Sequence, residues 1–512
     1  MLEDTTPVII GAGQYMERDV PLPRAQPPMG IAARAAAAAL DDAGHGDRLA
    51  SLIDTIAIVR IVQDSRNRPR DDISSGRAEN PPRAVARRIG ADPAHAIYGC
   101  IGGDTPQTLV IEIAQSIADG EIGMALLAGG EAIHTARAAW RAGVSPDWQE
   151  EDSGSLDDRG MGTRLSSEHE MTHGIGIPVQ TYPLFENAIR ARLGNRIDAH
   201  LRSMGELMAP FTRTASANPF AFYGDRRNAD ELAAVNEDNR YICLPYPKLM
   251  NARDSVNQGA ALVMTSVGKA RELGIDPAKW VYLHGCAEAR EKLVSERADY
   301  HSSPAIRANA ATAFAMAGKS VADMDYIDLY SCFPSAVEIA CAELGLAPDD
   351  PRGLTVTGGL PFFGGPGNNY SMHAVATMVS LLRARPGSHG LVTANGGLLS
   401  KHATGIYSTT PYSGNWTRPN PAADQAAVDS LAGPGFTERP DGEATVETYT
   451  VCFRRGVPER GIVIGRLNAD GRRFVANTPD DETTLARLTA EEQMGRAGTV
   501  EATSQGNVFV PG

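Results

Sequence analysis

The chain has 512 residues, and its 48 basic and 62 acidic side chains give a formal net charge of −14 at pH 7. An acidic chain without a run of Lys and Arg lacks the electrostatic footprint of nucleic-acid binding, so no nucleic-acid partner is expected. The hydrophobic fraction of 42% and the charged fraction of 21% exclude wholesale disorder. At about 100–200 residues per domain, the length predicts about two to four domains.

The apolar runs and the cysteines narrow the class of protein further. No uninterrupted apolar run approaches the roughly 18 residues of a membrane span, and the acidic N-terminal segment lacks the features of a signal peptide. None of the six cysteines forms a C-x-x-C pair, which argues against a zinc ribbon or a disulfide framework. We therefore expect a cytoplasmic protein with reduced thiols, no membrane span and no bound metal.

Strands alternate with helices in the first part of the chain, which is typical of a layered α/β sheet. Apolar runs bounded by Gly and Pro predict buried strands at 7–12, 52–60, 97–100, 124–130 and 259–267. Helices are predicted at 29–43 and from about 105 to 118, the second with Pro106 in its first turn. A polar stretch at about 132–245 indicates a helical insertion over one face of this core.

A second strand–helix series follows and is similar in its order of elements. Strands are predicted at 280–287, 326–330 and 390–395, and helices at 303–318, 334–345 and 373–384. We therefore predict two related halves, residues 1–268 and 269–412. The remaining segment, 413–512, combines a Pro-rich linker with short β-branched runs and Gly/Asp turns, the pattern of a small β-barrel.

Cys100 is the strongest single candidate for a catalytic residue. It ends a predicted strand and precedes a Gly-Gly turn and a capped helix, and the partial positive charge of a helix N-terminus stabilises a thiolate. A nucleophilic role is therefore one interpretation. The other is a small buried hydrophobic residue, which is the commonest role of a free cysteine.

Two Gly-rich loops are the next candidates. The stretches 358–374 and 395–405 allow the backbone to come close to a ligand, and Gly396 and Gly397 can direct amides at a developing oxyanion. His373 and His402 are the histidines nearest these loops, and each is either a general base or a structural side chain. Neither loop has the spacing of a dinucleotide-binding or P-loop motif.

Six ordered blocks of the sequence, spanning roughly 1–412, together resemble the thiolase superfamily. The blocks are CIGGDTPQTL at 100–109, ADGEIGMALLAGGE at 118–131, RYICLPYPKLMNARDSVNQGAA at 240–261, YSCF at 330–333, GGLPFFGGPG at 358–367 and ANGG at 394–397. The first resembles the nucleophile loop, and the last two resemble the G-H-P and C-x-G loops. The additional C-terminal domain is similar to that of type-1 thiolase-like proteins, relatives of sterol-carrier-type thiolases usually described as acetyl-CoA acetyltransferases.

This resemblance implies a five-layered αβαβα core of two pseudo-symmetric halves, a helical loop insertion over the active site and an OB-like C-terminal barrel. It implies coenzyme A or an acyl-CoA as substrate and no covalently bound cofactor. Thiolases usually pair through their first halves, so a homodimer is one assembly that the resemblance implies.

The sequence departs from the thiolase pattern at three catalytic positions. Gly365 replaces the histidine of the G-H-P loop, Tyr330 replaces the Asn or His of the third loop, and Ala394 replaces the second catalytic cysteine. Of the side chains that normally carry the chemistry, only Cys100 is retained. Asn368 lies in the substrate loop beside the substituted histidine position.

The resemblance and its departures favour acyl transfer or retro-Claisen cleavage of a β-keto acid or β-ketoacyl-CoA, through an acyl-enzyme on Cys100. His373 and His402 are the candidate bases, and Cys332 is a rival nucleophile or proton shuttle. The alternatives are a non-catalytic protein that binds CoA thioesters or lipids, and a retro-aldol lyase. The tail holds only Cys452, so it cannot supply a four-cysteine zinc site.

Overall fold

The computed structural model describes residues 2–44, 46–65 and 76–512. Met1, His45 and residues 66–75, all within the predicted first half, lie outside the described residues. No helix in the described part of the chain is both long and apolar enough to cross a membrane.

The helices and strands follow the chain in four groups. The first comprises β1 (Pro7–Met16), α1 (Pro28–Ala43), α2 (Gly46–Ala50), β2 (Thr55–Ile58), α3 (Pro81–Ile89), β3 (His95–Tyr98), α4 (Thr105–Ala118) and β4 (Met124–Ala132). The insertion comprises α5 (Ile133–Ala142), β5 (Asp157–Asp158), α6 (Glu168–Thr172), α7 (Pro178–Leu193), α8 (Ile197–Ala217), α9 (Ala229–Ala233), β6 (Tyr241–Cys243) and β7 (Tyr246–Pro247). The third group comprises β8 (Asn257–Ser266), α10 (Val267–Glu272), β9 (Val281–Arg290), α11 (Pro304–Ala317), β10 (Tyr326–Asp328), α12 (Pro334–Leu344), α13 (Tyr370–Ala384), β11 (His389–Gly396) and β12 (Lys401–Ser408). The last comprises α14 (Pro421–Asp429), β13 (Asp441–Arg454), β14 (Val457–Leu467), β15 (Arg473–Asn477), α15 (Glu482–Ala490), β16 (Ala497–Thr503) and β17 (Gly506–Pro511).

The strands of the two halves are related by a pseudo-symmetric order. They join in the sequence β10-β11-β12-β9-β1-β8-β4-β2-β3-β5, and a two-residue pairing of β1 with β9 connects the halves. The parallel pair β2–β4 in the first half corresponds to the parallel pair β10–β11 in the second. β8 pairs antiparallel with β4, and β12 pairs antiparallel with β11 in the same way. The strand pairings of the two parts of the core thus follow the same pattern.

Two helices form the central layer between the halves. α4 packs on β1, β4 and β12, while α13 packs on β1, β8 and β11 and against α4 itself. The outer faces are covered by α1, on β1, β4 and β8, and by α11, on β9 and β12. Because buried apolar side chains line both faces of these sheets, the five layers αβαβα form a continuous core. The predicted fold class is confirmed.

The C-terminal strands form a closed five-stranded barrel in the order β13-β14-β15-β17-β16, with β14 returning to β13. The predicted barrel is therefore confirmed. β6, which falls within the predicted helical insertion, and β7, which follows it directly, are strands that extend the barrel sheet beside β13. Ile464 and Val475 of the barrel pack in the same apolar cluster as Tyr330 and Cys332 of the second half.

A buried arginine holds the barrel against the core. The guanidinium of Arg473 donates to the carbonyl of Ser295 at 3.1 Å and pairs with Glu447 at 2.6 Å. The side chain is fully buried and lies over the ring of Tyr300, 4.7 Å from its centroid. The barrel is therefore fixed to the second half by a desolvated charge that is fully hydrogen-bonded.

Candidate active site

The nucleophile turn, residues 99–104, connects β3 to α4. The N–H of Thr105 donates to the carbonyl of Gly102 at 3.1 Å and closes the turn, and Pro106 suits the first turn of the helix because no N–H is needed there. Cys100 is therefore held at the N-terminus of a 14-residue helix, where it is half-buried.

The thiol of Cys100 is bordered by a threonine and by a glycine of the insertion. Its Sγ lies 3.9 Å from Oγ1 of Thr105, whose hydroxyl donates to the carbonyl of Cys100 at 3.0 Å. A methyl group on Gly162 would lie 3.3 Å from the same Sγ. An exposed segment of the insertion thus lies directly beside the thiol.

Asn368 and Ser371 of the second half hold the backbone of the nucleophile turn. Asn368 Oδ1 accepts the N–H of Gly102 at 3.1 Å, and the Ser371 hydroxyl donates to the carbonyl of Gly103 at 2.7 Å. Asn368 is thereby joined to the turn that carries Cys100. Because the N–H of Gly102 already donates to Asn368, it is not available to donate to an oxyanion.

Lys401, which the sequence analysis missed, lies on the other side of the turn. Its ammonium donates to the carbonyl of Ile101 and lies 3.5 Å from Asp104 Oδ1. Lys401 is 5% and Asp104 8% exposed. Burial raises the pKa of the Asp104 carboxyl, and the neighbouring ammonium opposes that shift. No local sequence signal connects these two residues, because only the fold brings β12 onto the nucleophile turn.

The glycines predicted to form the oxyanion loop lie against the same turn. A methyl group on Gly396 would overlap the carboxylate of Asp104, so this close approach requires glycine. Gly397 has a φ of +72°, and its amide has no hydrogen-bond acceptor among the described residues. The predicted loop 395–405 is in fact a short turn, after which β12 begins at Lys401.

Tyr330 and Cys332 border the site from the third loop. A methyl group on Gly103 would overlap the Tyr330 hydroxyl, so this phenol abuts the nucleophile turn. Cys332 is buried, its Sγ lies 3.9 Å from Asn395 Nδ2, and burial raises the pKa of its thiol to about 12. At neutral pH Cys332 is therefore a neutral thiol.

The two candidate histidines are both enclosed in the core. His373 lies in α13 with Nδ1 2.8 Å from Gln14 Oε1, and His402 lies in β12. Burial lowers the pKa of each imidazole to about 3. In the part of the chain that the structure describes, no hydrogen bond joins either ring to Cys100.

Gly365 occupies a buried backbone turn. Its N–H donates to the carbonyl of Arg253 at 2.9 Å, and its carbonyl accepts the N–H of Gly367 at 2.8 Å. Beside Gly367, the carboxyl of Glu131 accepts the N–H of Val62 at 2.7 Å, and burial raises the pKa of Glu131 to about 8. Glu131 has no sequence signal that distinguishes it from other polar residues at strand ends.

One buried cluster in the described ranges has side chains of the metal-binding types. Atoms of Glu186, His200 and Glu338 lie within 4.8 Å of one another. His200 Nε2 is 2.5 Å from Glu186 Oε1, and the Tyr246 hydroxyl donates to Glu186 Oε2 at 2.6 Å. Glu186 is therefore held in a buried hydrogen-bonded network, whereas His200 Nδ1 and Glu338 Oε2 have no hydrogen-bond partner among the described residues.

The layered core, the nucleophile turn and the Gly-rich loops define a protein of the thiolase superfamily. An acetyl-CoA acetyltransferase from Syntrophomonas wolfei superposes with a TM-score of 0.55 at 15% identity, over 80% of this chain and 100% of that chain. A structure described as the Ltp2-ChsH2(DUF35) aldolase superposes with a TM-score of 0.56 at 17% identity, over 79% of this chain and 98% of that chain. At these identities the likeness concerns the fold.

A crystal structure of a monomeric SCP2-thiolase-like protein type 1 from Mycobacterium smegmatis is 41% identical, covers 100% of both chains and has a TM-score of 0.85. A profile of the thiolase-like protein type 1 additional C-terminal domain matches residues 425–505. The chain belongs to the SCP2-thiolase-like protein type 1 family. None of the curated proteins compared with it matches.

Proposed function

We propose that this protein transfers acyl groups or performs retro-Claisen cleavage on a β-keto acid or β-ketoacyl-CoA, through an acyl-enzyme on Cys100. The observation that carries the proposal is the position of Cys100. It is half-buried at the start of α4, on a turn whose backbone is fixed by side chains of the second half. A fixed turn presents the sulfur in one orientation, which is what nucleophilic catalysis requires.

The proposed step needs no separate base for carbon. The Cys100 thiolate attacks the β-keto carbonyl, and the oxyanion that forms accepts the free N–H of Gly397. The bond between the α- and β-carbons then breaks, its electron pair goes to the α-carbon, and a proton from solvent completes the released thioester or acid. The acyl group stays on Cys100 as a thioester until coenzyme A or water accepts it, and no covalently bound cofactor takes part.

Cleavage is favoured over Claisen synthesis because the groups that deprotonate an α-carbon are missing. Ala394 and Gly365 stand at two of the catalytic positions. His373 and His402 are neutral at pH 7 but enclosed, with pKa values lowered to about 3. We therefore assign them structural roles and leave the chemistry to Cys100.

A second candidate is a non-catalytic protein that binds CoA thioesters or lipids. The observation that favours it is the same enclosure of both imidazoles, together with the high pKa of the Cys332 thiol, about 12. A protein that only binds thioesters has no need of an accessible base. The two candidates differ in whether a covalent bond forms to Cys100.

The test is intact-protein mass spectrometry after incubation with acetyl-CoA and a series of acyl- and β-ketoacyl-CoA esters. We expect an acyl adduct on the wild type and on the matched control Cys332→Ser, and no adduct on Cys100→Ala. Binding of CoA esters without any adduct would overturn the acyl-enzyme and establish the binding protein. Release of an aldehyde or ketone from a β-hydroxyacyl ester, again without an adduct, would establish a retro-aldol lyase.

We also propose that the protein is a monomer, in agreement with the description of its relative from Mycobacterium smegmatis. Two residues of β3 are paired with β5 of the same chain, through Ile97 with Asp157 and Tyr98 with Asp158, and the two-residue β5 ends the sheet. So short an edge strand offers a second copy little backbone to pair with.

A further inference from the structure

Two cysteines face each other across the boundary between the insertion and the barrel. Cys243 ends β6, Cys452 lies in β13, and the two are direct partners in the antiparallel pairing of these strands. Both are buried, at 2% and 5% exposure, and both are free thiols.

The register places them where a disulfide fits. The N–H of Leu244 donates to the carbonyl of Val451 at 2.8 Å, which makes Cys243 and Cys452 a non-hydrogen-bonded pair. In such a pair the Cα atoms are about 4.5 Å apart and the side chains are at their closest. A disulfide spans Cα separations of about 4.4–6.8 Å, so a pair in this register lies within the range that a disulfide bridges.

The two thiols also influence each other's protonation. The neighbouring Cys452 thiol, together with burial, raises the pKa of Cys243. The other described cysteines have different neighbours: Cys286 contacts the sulfur of Met316, and Cys332 contacts Asn395. Among the cysteines that the structure describes, Cys243 and Cys452 are the pair that lie directly opposite each other on neighbouring strands.

We propose that Cys243 and Cys452 are a covalent modification site, at which a low-molecular-weight disulfide such as glutathione disulfide oxidises the pair to an intramolecular disulfide. One thiolate attacks the reagent, forms a mixed disulfide and releases one reduced thiol. The second thiolate then displaces the remaining half of the reagent. Both cysteines lose their protons, the pair loses two electrons, and the reagent is reduced to two thiols.

The bond would tie the barrel to the insertion beside an existing polar contact. Asn187 of α7 donates its side-chain amide to the carbonyl of Leu244 at 3.1 Å and to that of Tyr449 at 2.9 Å. Because β6 has three residues, of which Tyr241 and Ile242 are only half-buried, local opening of this strand exposes the thiols. We expect oxidation to be slow in the native protein and faster in low concentrations of urea.

The experiment incubates the full chain with glutathione disulfide, blocks the remaining thiols with a maleimide under native and then denaturing conditions, and maps the peptides without reduction. We expect a cross-linked peptide pair containing Cys243 and Cys452, a mass lower by two hydrogen atoms, and a higher Tm that a reductant reverses. Cys452→Ser should abolish the cross-link and the rise in Tm, and the matched control Cys286→Ser should keep both.

The proposed disulfide does not depend on the proposed function, because the experiment detects a cross-linked peptide and does not measure enzyme activity. Only single glutathione adducts on Cys243 or Cys452, or full maleimide labelling of both after oxidant treatment, would overturn it. If a serine variant does not fold, the peptide map of the wild type still decides the outcome.

Discussion

The backbone N–H of Gly102 donates to the side chain of Asn368, 266 residues further along the chain, at 3.1 Å. The same side chain donates from its Nδ2 to the carbonyl of Arg60 at 2.8 Å and to the Ser65 hydroxyl at 3.1 Å. One amide group therefore joins three segments that the sequence keeps far apart. The orientation of the turn that carries Cys100 depends on both halves of the core.

Asn368→Ala should weaken both the fold and the proposed acylation. The N–H of Gly102 and the carbonyl of Arg60 lose a partner in a buried place, and each unsatisfied group costs about 1–3 kcal/mol. We expect acyl-adduct formation to slow about tenfold or more because the turn is less well fixed. Urea unfolding and the time course of the adduct measure the two effects. Asn368→Asp keeps the acceptor for the Gly102 N–H but loses the donor to the Arg60 carbonyl, so it should slow the adduct less than Asn368→Ala while still destabilising the fold. An adduct rate equal to the wild type in Asn368→Ala would refute this role.

Lys401→Met should strongly destabilise the protein by leaving Asp104 without its cation. Removing one partner of a buried ion pair costs about 3–5 kcal/mol, and these two groups lie 3.5 Å apart in a buried place. The double variant Lys401→Met/Asp104→Asn should recover a large part of that loss. Free energies of unfolding from urea titrations give the comparison, and a double variant as unstable as the single one would show that the ion pair is not the cause.

Acid should destabilise the protein through its two enclosed histidines. The pKa of His373 and that of His402 are about 3 in the folded chain and about 6.5 in the unfolded chain. Below pH 6.5 the unfolded chain binds more protons, so the free energy of unfolding falls as the pH drops towards 3. Each histidine contributes a slope of up to about 1.4 kcal/mol per pH unit.

The measurement is the free energy of unfolding as a function of pH. His402→Asn should make this dependence less steep than in the wild type between pH 6.5 and 4.5. Replacement of the exposed His95 by Gln is the matched control and should leave the slope as in the wild type. An unchanged slope in His402→Asn would contradict the low pKa of this imidazole.

Arg473→Leu should detach the barrel from the core. It leaves Glu447 and the carbonyl of Ser295 without their buried partner, at a cost of about 3–5 kcal/mol. Arg466→Leu, which removes a half-exposed partner of the same Glu447, should cost less than about 1 kcal/mol. Thermal unfolding and limited proteolysis of the barrel are the measurements, and equal losses in the two variants would contradict the anchoring role.

Size-exclusion chromatography with light scattering should give a mass near the 54.4 kDa of one chain. The prediction rests on the two-residue strand β5, which pairs with β3 and ends the sheet. A stable species of twice that mass would show that another surface pairs the chains.

The sequence predicted the elements whose signals are local. α4 begins at Thr105, where the Gly-Gly turn and Pro106 place it, and β4 and β9 lie where apolar runs predicted strands. α13 begins at Tyr370 and not at His373, because Asn368 and Asn369 end the loop earlier than the glycine pattern indicated.

The remaining features depend on tertiary contacts. The glycines and His402 at 395–405 have the composition of a loop, yet pairing with β9 and β11 makes a strand from Lys401 onward. In the same way, Tyr241–Cys243 becomes a strand because β13 offers it an edge. Asn368 and Lys401 hold the nucleophile turn through hydrogen bonds that join positions about 300 residues apart. No local sequence pattern predicts such bonds.

The shared apolar cluster that joins Ile464 and Val475 to Tyr330 and Cys332 has a consequence for how the protein is made. A ribosome delivers the Cys100 turn first and the barrel last, at about 5–20 residues per second. During translation, the apolar cluster that contains Tyr330 and Cys332 stays incomplete until Ile464 and Val475 have left the ribosome. The nucleophile at residue 100 therefore belongs to a core that is completed only when the C-terminal barrel has been made.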